Sequence, residues 1–177
     1  MTVNDLSRID SDFEESIFIT KVNSRIKKIY NAITLGDVDT VKHFMSDELY
    51  SKITDYVKNN DDDNKIVIYD EVNISSAILN IDEDNNNYII TVDCVSKFLK
   101  YFISKNSREY LSGDMDNRIE LNQKIKFYKS KTAKSVDVVR CLGCGANFNI
   151  NSNGICPHCG RTYDLEKFDY IISDMEL

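Results

Sequence analysis

Residues 31–50 read NAITLGDVDTVKHFMSDELY, and the punctuation in this stretch sets the layout of the chain. Gly36 stops one helix, because glycine takes up the left-handed backbone that closes a helix at little steric cost. Asp37 or Asp39 can cap a short second helix carrying Val38, Val41, Phe44 and Met45. Ser46 then restarts a third, with Leu49, Ile53 and Val57 on one face. Upstream, Phe13, Ile17, Val22, Ile26, Ile29 and Ile33 recur near helical periodicity, and Ser11 with Glu14 has capping-box spacing. The pattern predicts one long amphipathic helix over about 12–35.

Downstream, from Ile66, the pattern turns to long β-rich runs at 66–81, 88–104 and 118–133, with polar turns at 82–87 and 106–114. In the first run Ile66, Ile68, Val72 and Ile74 share one parity, whereas Ala77, Leu79 and Ile81 share the other. Such a flip requires a bulge or sharp bend, as expected where a long strand curves around a helix. A final segment, KFDYIISDMEL at 167–177, reads as another strand. Helices first and strands after give an α+β fold, with N-terminal helices packed in a strongly curved antiparallel sheet.

Near the C-terminus, Cys141, Cys144, Cys156 and Cys159 form two CxxCG knuckles separated by eleven residues. Two thiolates two residues apart reach one tetrahedral ion only if the chain turns tightly, and Gly145 and Gly160 stand where that turn needs relief from a side chain. Pro157 stiffens the second knuckle. Between the knuckles, ANFNI, NSNG and I read as a short strand, a turn around Asn153 and Gly154, and a return. The spacing predicts a compact zinc ribbon holding one structural zinc. Two disulfides are the alternative for an oxidising compartment, but the N-terminus MTVNDLSRIDSDF lacks a secretory pattern. Iron in a rubredoxin-like knuckle is a further alternative, against which stand the short loop and the lack of aromatic shielding. A catalytic zinc needs an open position, which four cysteines close, and His158 reads as an outward knuckle residue.

With 177 residues the chain has room for one cored domain and a small module. The expected division is a cone domain at 1–136 plus 164–177, with the ribbon at 137–163 inserted before the last strand. A net charge of −7 disfavours a general nucleic-acid surface. No stretch approaches a bilayer-spanning length of apolar residues, and the expected location is cytoplasmic. Asp61, Asp62 and Asp63 read as a solvated loop.

The helix, the stretch at 31–50 and the ensuing strands resemble the Tim44-like domain family, and the likeness covers most of the chain. That resemblance implies a cone-shaped fold like that of nuclear transport factor two, in which helices pack into a bent antiparallel sheet and leave a pocket. It also implies a binding or scaffolding role with peripheral association, and brings no catalytic residue with it. Bacterial relatives of this kind carry a cysteine ribbon before a last strand, as CxxCGA, CPHCG and FDYII are arranged here. KIKFYKSK at 124–131 departs from the family's strand pattern in having no arginine.

The fold also hosts isomerases and dehydratases, so Asp70, Asp93, Tyr69, Tyr101 and His43 are the candidates for a catalytic role in the cone. His43 has no patterned partner, Asp93 should face solvent, and Cys94 should face the core. Arg118, Lys124, Lys126, Lys129, Lys131 and Lys134 stand against Glu120 alone. They read either as an edge strand guarded by lysines or as a docking patch for an acidic protein or an anionic membrane surface. The expectation is a non-catalytic module binding a protein or an apolar ligand. The alternatives are a small-molecule enzyme using the cone cavity and nucleic-acid binding through the ribbon.

Overall fold

The computed structural model describes residues 1–133, 138–150 and 154–177. Helix α1 spans Val3–Ile9, α2 Glu15–Leu35 and α3 Asp47–Asp62, with a 3₁₀ helix at Val38–Phe44 between the last two. Strands β1 (Lys65–Glu83), β2 (Asn87–Ser104) and β3 (Tyr110–Ser130) form an antiparallel meander. The short strands β4 (Val138–Arg140) and β5 (Asn147–Asn149) pair with each other. A 3₁₀ turn at Leu165–Lys167 leads to β6 (Ile171–Asp174), which completes a curved sheet in the order β1-β2-β3-β6.

The helical signals hold where capping chemistry was explicit. Gly36 sits at φ 70° and its N–H closes on the carbonyls of Ala32 and Ile33. The Ser46 hydroxyl accepts the Leu49 N–H at 3.1 Å and so starts α3. The N-terminus differs from expectation. Thr2 and Asp5 form a reciprocal capping box that starts α1, and Ser11 lies in the link after that helix, so the Ser11–Glu14 box does not form. Consequently α2 begins at Glu15, and Ile17, expected in the core, is 50% exposed while Phe18 is buried. Asp61 and Asp62 belong to the last turn of α3 rather than to a loop. Asp61 pairs with Lys105 and Asp63 with Lys65.

One face of α2 packs into the concave side of the sheet. Phe18, Val22, Ile26, Ile29, Tyr30 and Ile33 are buried there. Tyr30, Tyr69 and Phe98 make a three-ring cluster with centroids 4.7–5.1 Å apart. Phe18 meets Phe127 edge-on at 5.4 Å. These rings occupy the space between helix and sheet where the resemblance implied a pocket.

The parity expected for β1 holds at Val72, Ile74 and Ile81 and fails elsewhere. Val67 and Tyr69 face the core, Ala77 is exposed, and Leu79 is 51% exposed. IVIY at 66–69 is apolar at every position, so periodicity there cannot choose a face. The single expected bend is two bulges, between Asp70 and Asn73 and between Ile78 and Asn80. Each inserts residues on β1 only, which bends the strand around α2.

The ribbon pairs differently from its sequence reading. The partner of β5 is β4, ahead of the first knuckle, whereas the chain after Gly154 contributes only the isolated bridge of Ile155 with Thr162. Asn153 of the proposed turn, Lys134 of the basic run and the expected boundary at 136/137 lie outside the described residues.

Candidate metal centre and neighbouring clefts

The sulfur atoms of Cys141, Cys144, Cys156 and Cys159 all lie within 4.8 Å of one another. The Sγ atoms of Cys141 and Cys159 are 3.5 Å apart, and those of Cys144 and Cys156 are 3.8 Å apart. Neither distance is a bond, since a disulfide needs about 2.05 Å. Both match the edge of a sulfur tetrahedron around an ion with metal–sulfur bonds of about 2.3 Å, which is about 3.8 Å.

Local backbone chemistry builds the two knuckles alike. The Gly145 N–H donates to the Cys141 carbonyl and the Gly160 N–H to the Cys156 carbonyl, both at 2.9 Å. Both glycines hold positive φ, 76° and 74°, so the sequence places glycine where the turn demands it. The Gly143 N–H reaches Cys141 Sγ at 3.3 Å. Behind the knuckles, Phe148 and Tyr163 pack ring to ring at 5.4 Å, and Cys141, Phe148, Ile150 and Cys156 are continuous with the main core.

Tyr163 is a functional neighbour that spacing alone did not reveal. Its hydroxyl accepts the Leu142 N–H at 2.7 Å. The same hydroxyl, followed by the Cys144 backbone N–H, holds the Cys141 thiol down to about 5. Cys159 goes the other way, to about 11: the Arg161 N–H lowers it, but burial and the neighbouring thiols outweigh that. Four thiols this close cannot all ionise without a cation among them, and a soft divalent ion supplies the missing charge. The donor set therefore fits a metal, with Cys141, Cys144, Cys156 and Cys159 as its ligands and the shell closed. His158 is exposed and stands outside the cluster.

The candidates of the cone do not converge. Tyr69 is locked in the aromatic cluster, where burial first and the Tyr56 hydroxyl next raise its pKa. Asp93 is exposed, with Lys124 as its partner on β3, and Cys94 is buried. Asp70 is exposed on β1 opposite Leu99, and Tyr101 lies half-buried opposite Ile68. His43 alone enters a cleft, of about 490 Å³, at the seam between the 3₁₀ helix and the ribbon, beside Asp39, Asp47, Asp164 and Glu166.

The basic run is largely answered by acids. Arg118 pairs with Glu71, and Lys131 with Glu83 at 2.7 Å. Lys129 is buried against Asp10 at 2.7 Å. Lys124 lies opposite Asp93 on β2, and Lys126 opposite Asp174 on β6. A second buried ion pair joins Arg25 and Asp169 at 2.8 Å, with Lys21 on the same carboxylate. It ties α2 to the segment between ribbon and β6. Its sequence signal is a basic residue, Arg25, inside the apolar stripe of Val22, Ile26 and Ile29.

Residues 1–137 match the model of the Tim44-like domain. The chain belongs to the Tim44-like domain family. The matched part holds the helices and β1 to β3, and the four cysteines follow it. No curated protein matches this Tim44-like chain. Among solved structures, the crystal structure of the intermembrane space region of chloroplast protein ARC6 is similar at 8% identity and a TM-score of 0.33. It covers 84% of this chain and 92% of that one, and so loose an overlap carries no argument.

Proposed function

We propose that this Tim44-like chain is a non-catalytic binding module whose ribbon holds one structural zinc. The observation that carries the reading is the packing of the cone: its concave face is filled by Tyr30, Tyr69, Phe98 and Phe127, leaving the surface to do the binding. Family membership supports a role in binding or scaffolding. The closed four-cysteine shell supports structural zinc over a catalytic metal, because it leaves no open position for water. The proposed division is a cone at 1–136 plus 164–177 and a ribbon at 137–163. No disulfide joins any of the five cysteines, which fits a reducing, cytoplasmic location.

The partner of this reading is a protein. Nucleic acid is disfavoured by the acidic balance of the chain. Among the described residues no helix is long and apolar enough to cross a membrane. The ion pairs of Arg118, Lys129 and Lys131 leave little charge for a peripheral anionic contact.

The test is affinity purification of the tagged full chain from its native source, with quantitative mass spectrometry of proteins and small molecules. The reading expects a protein recovered near one-to-one and lost in high salt or on competition with untagged chain. Recovery of a small molecule alone, with no enriched protein, overturns it. The cleft at His43 favours a second reading, a small-molecule enzyme, since a histidine and carboxylates share its walls. Saturable turnover abolished by His43→Gln in a folded variant would establish that one.

A further inference from the structure

The two knuckles are one motif written twice. Residues 140–148, RCLGCGANF, and 155–163, ICPHCGRTY, align position by position, with cysteines at the second and fifth places and an aromatic ring at the ninth. Their backbones agree. The Cys141 N–H donates to the Ala146 carbonyl at 2.8 Å and the Cys156 N–H to the Arg161 carbonyl at 2.9 Å, while Gly145 and Gly160 close the two turns on the carbonyls of Cys141 and Cys156. At the ninth place Phe148 and Tyr163 meet ring to ring.

The repeat breaks at two places, and the two breaks match each other. Its third place is Leu142 in one knuckle and Pro157 in the other, so only the first offers an N–H there. Its ninth place is Phe148 in one and Tyr163 in the other, so only the second brings a hydroxyl. The Tyr163 hydroxyl crosses to the first knuckle and accepts the Leu142 N–H at 2.7 Å. A phenol oxygen that accepts an N–H still has one hydrogen to give. That hydrogen goes to Cys141 Sγ, which also receives the Gly143 N–H at 3.3 Å. The Leu142 side chain is 81% exposed, so what the knuckle uses of this residue is its backbone. Tyr163 is held from behind: its N–H donates to the Gly154 carbonyl at 2.8 Å, Thr162 bridges Ile155, and the Phe148 ring lies against its own.

We propose that Tyr163 is a positioning residue of the metal centre, whose hydroxyl ties the second knuckle to Leu142 and Cys141 of the first and thereby sets how long the metal is retained. A hydrogen bond given to a ligating thiolate from behind orients it and draws off part of its charge. Loss of such a partner costs about 10–100-fold in metal affinity. The assignment rests on the structural-zinc reading, and adds to the four ligands the residue that holds the two halves of the site in register.

The test is Tyr163→Phe in the full chain, which removes one oxygen and keeps a ring against Phe148. Both chains are loaded with zinc, and transfer of the metal to a chromophoric chelator is followed with time. The wild type should hold one zinc, and the variant should release it about tenfold faster, with helical circular dichroism unchanged. Cobalt(II) in place of zinc separates an effect on the sulfur from a loosened fold. Without the hydrogen bond to Cys141, the thiolate-to-cobalt charge-transfer band should move to longer wavelength. Equal release rates overturn the proposal, and so does faster release with an unmoved band. If the wild type binds zinc and Tyr163→Phe matches it in both measurements, only the role of Tyr163 falls. If the wild type binds no metal, the structural-zinc reading falls with it.

Discussion

Asp169 and Gly154 are single residues on which the union of ribbon and cone depends. Burial pushes the Asp169 carboxyl up, but Arg25 and Lys21 outweigh it, so its folded pKa lies below the ordinary value. The pair therefore contributes stability above about pH 4, and loses it as pH falls through the lowered value. Asp169→Ala strands Arg25 as a buried charge and should destabilise the chain by about 3 kcal/mol at pH 7. Its acid limb, followed by urea melts between pH 2 and 6, should be flatter than that of the wild type; an unchanged limb would remove Asp169 from the account. Gly154 holds φ 68°, and a Cβ there would come within 2.9 Å of both Leu165 Cγ and His43 Cδ2. Gly154→Ala should thus cost about 1–3 kcal/mol by backbone strain and overlap, read from the same melts. The turn at Gly154 was legible, but the pairing of Asp169 with Arg25 and the approach of Gly154 to His43 were not, since each joins segments more than a hundred residues apart.

At the scale of elements, the sequence was most readable where side chains bond their own backbone. Gly36, Ser46 and the two knuckle glycines signal their turns locally, and the structure places each in that turn. The face of β1 was illegible at its start because Ile66, Val67, Ile68 and Tyr69 are all apolar, and the choice belongs to the aromatic cluster around Tyr30. Helix α1 was missed for a related reason: its seven residues bury only Leu6, too little for a periodic stripe. The ribbon was legible as four ligands but not as a pairing, since β4 precedes the first cysteine. Cys156→Ser opens the shell and should release the proposed metal. The variant should lower the melting temperature by about 5–10 °C through loss of the ribbon and of β6 docking. Helical circular dichroism from α2 and α3 should persist, and full loss of it would show that the ribbon is required for the cone as well.

Across the whole molecule, charge and packing divide the labour. The concave face of the sheet is filled, the buried ion pair of Arg25 with Asp169 fastens the C-terminal segment to α2, that of Lys129 with Asp10 fastens β3 to the end of α1, and the ribbon shares its core with the cone. The proposed binding is thereby left to the surface, where the cleft at His43 opens at the seam. The acidic balance was plain from composition, but the neutralisation of the basic run was not, because Asp10, Glu71 and Glu83 come to it from distant parts of the chain. The proposed ribbon depends on a closed tetrathiolate site. Elemental analysis of the full chain by inductively coupled plasma mass spectrometry, after dialysis against metal-free buffer, tests it most directly. The account predicts one zinc per chain, retained in the wild type and lost in Cys156→Ser. A chain without bound metal, or one carrying iron in its place, contradicts it.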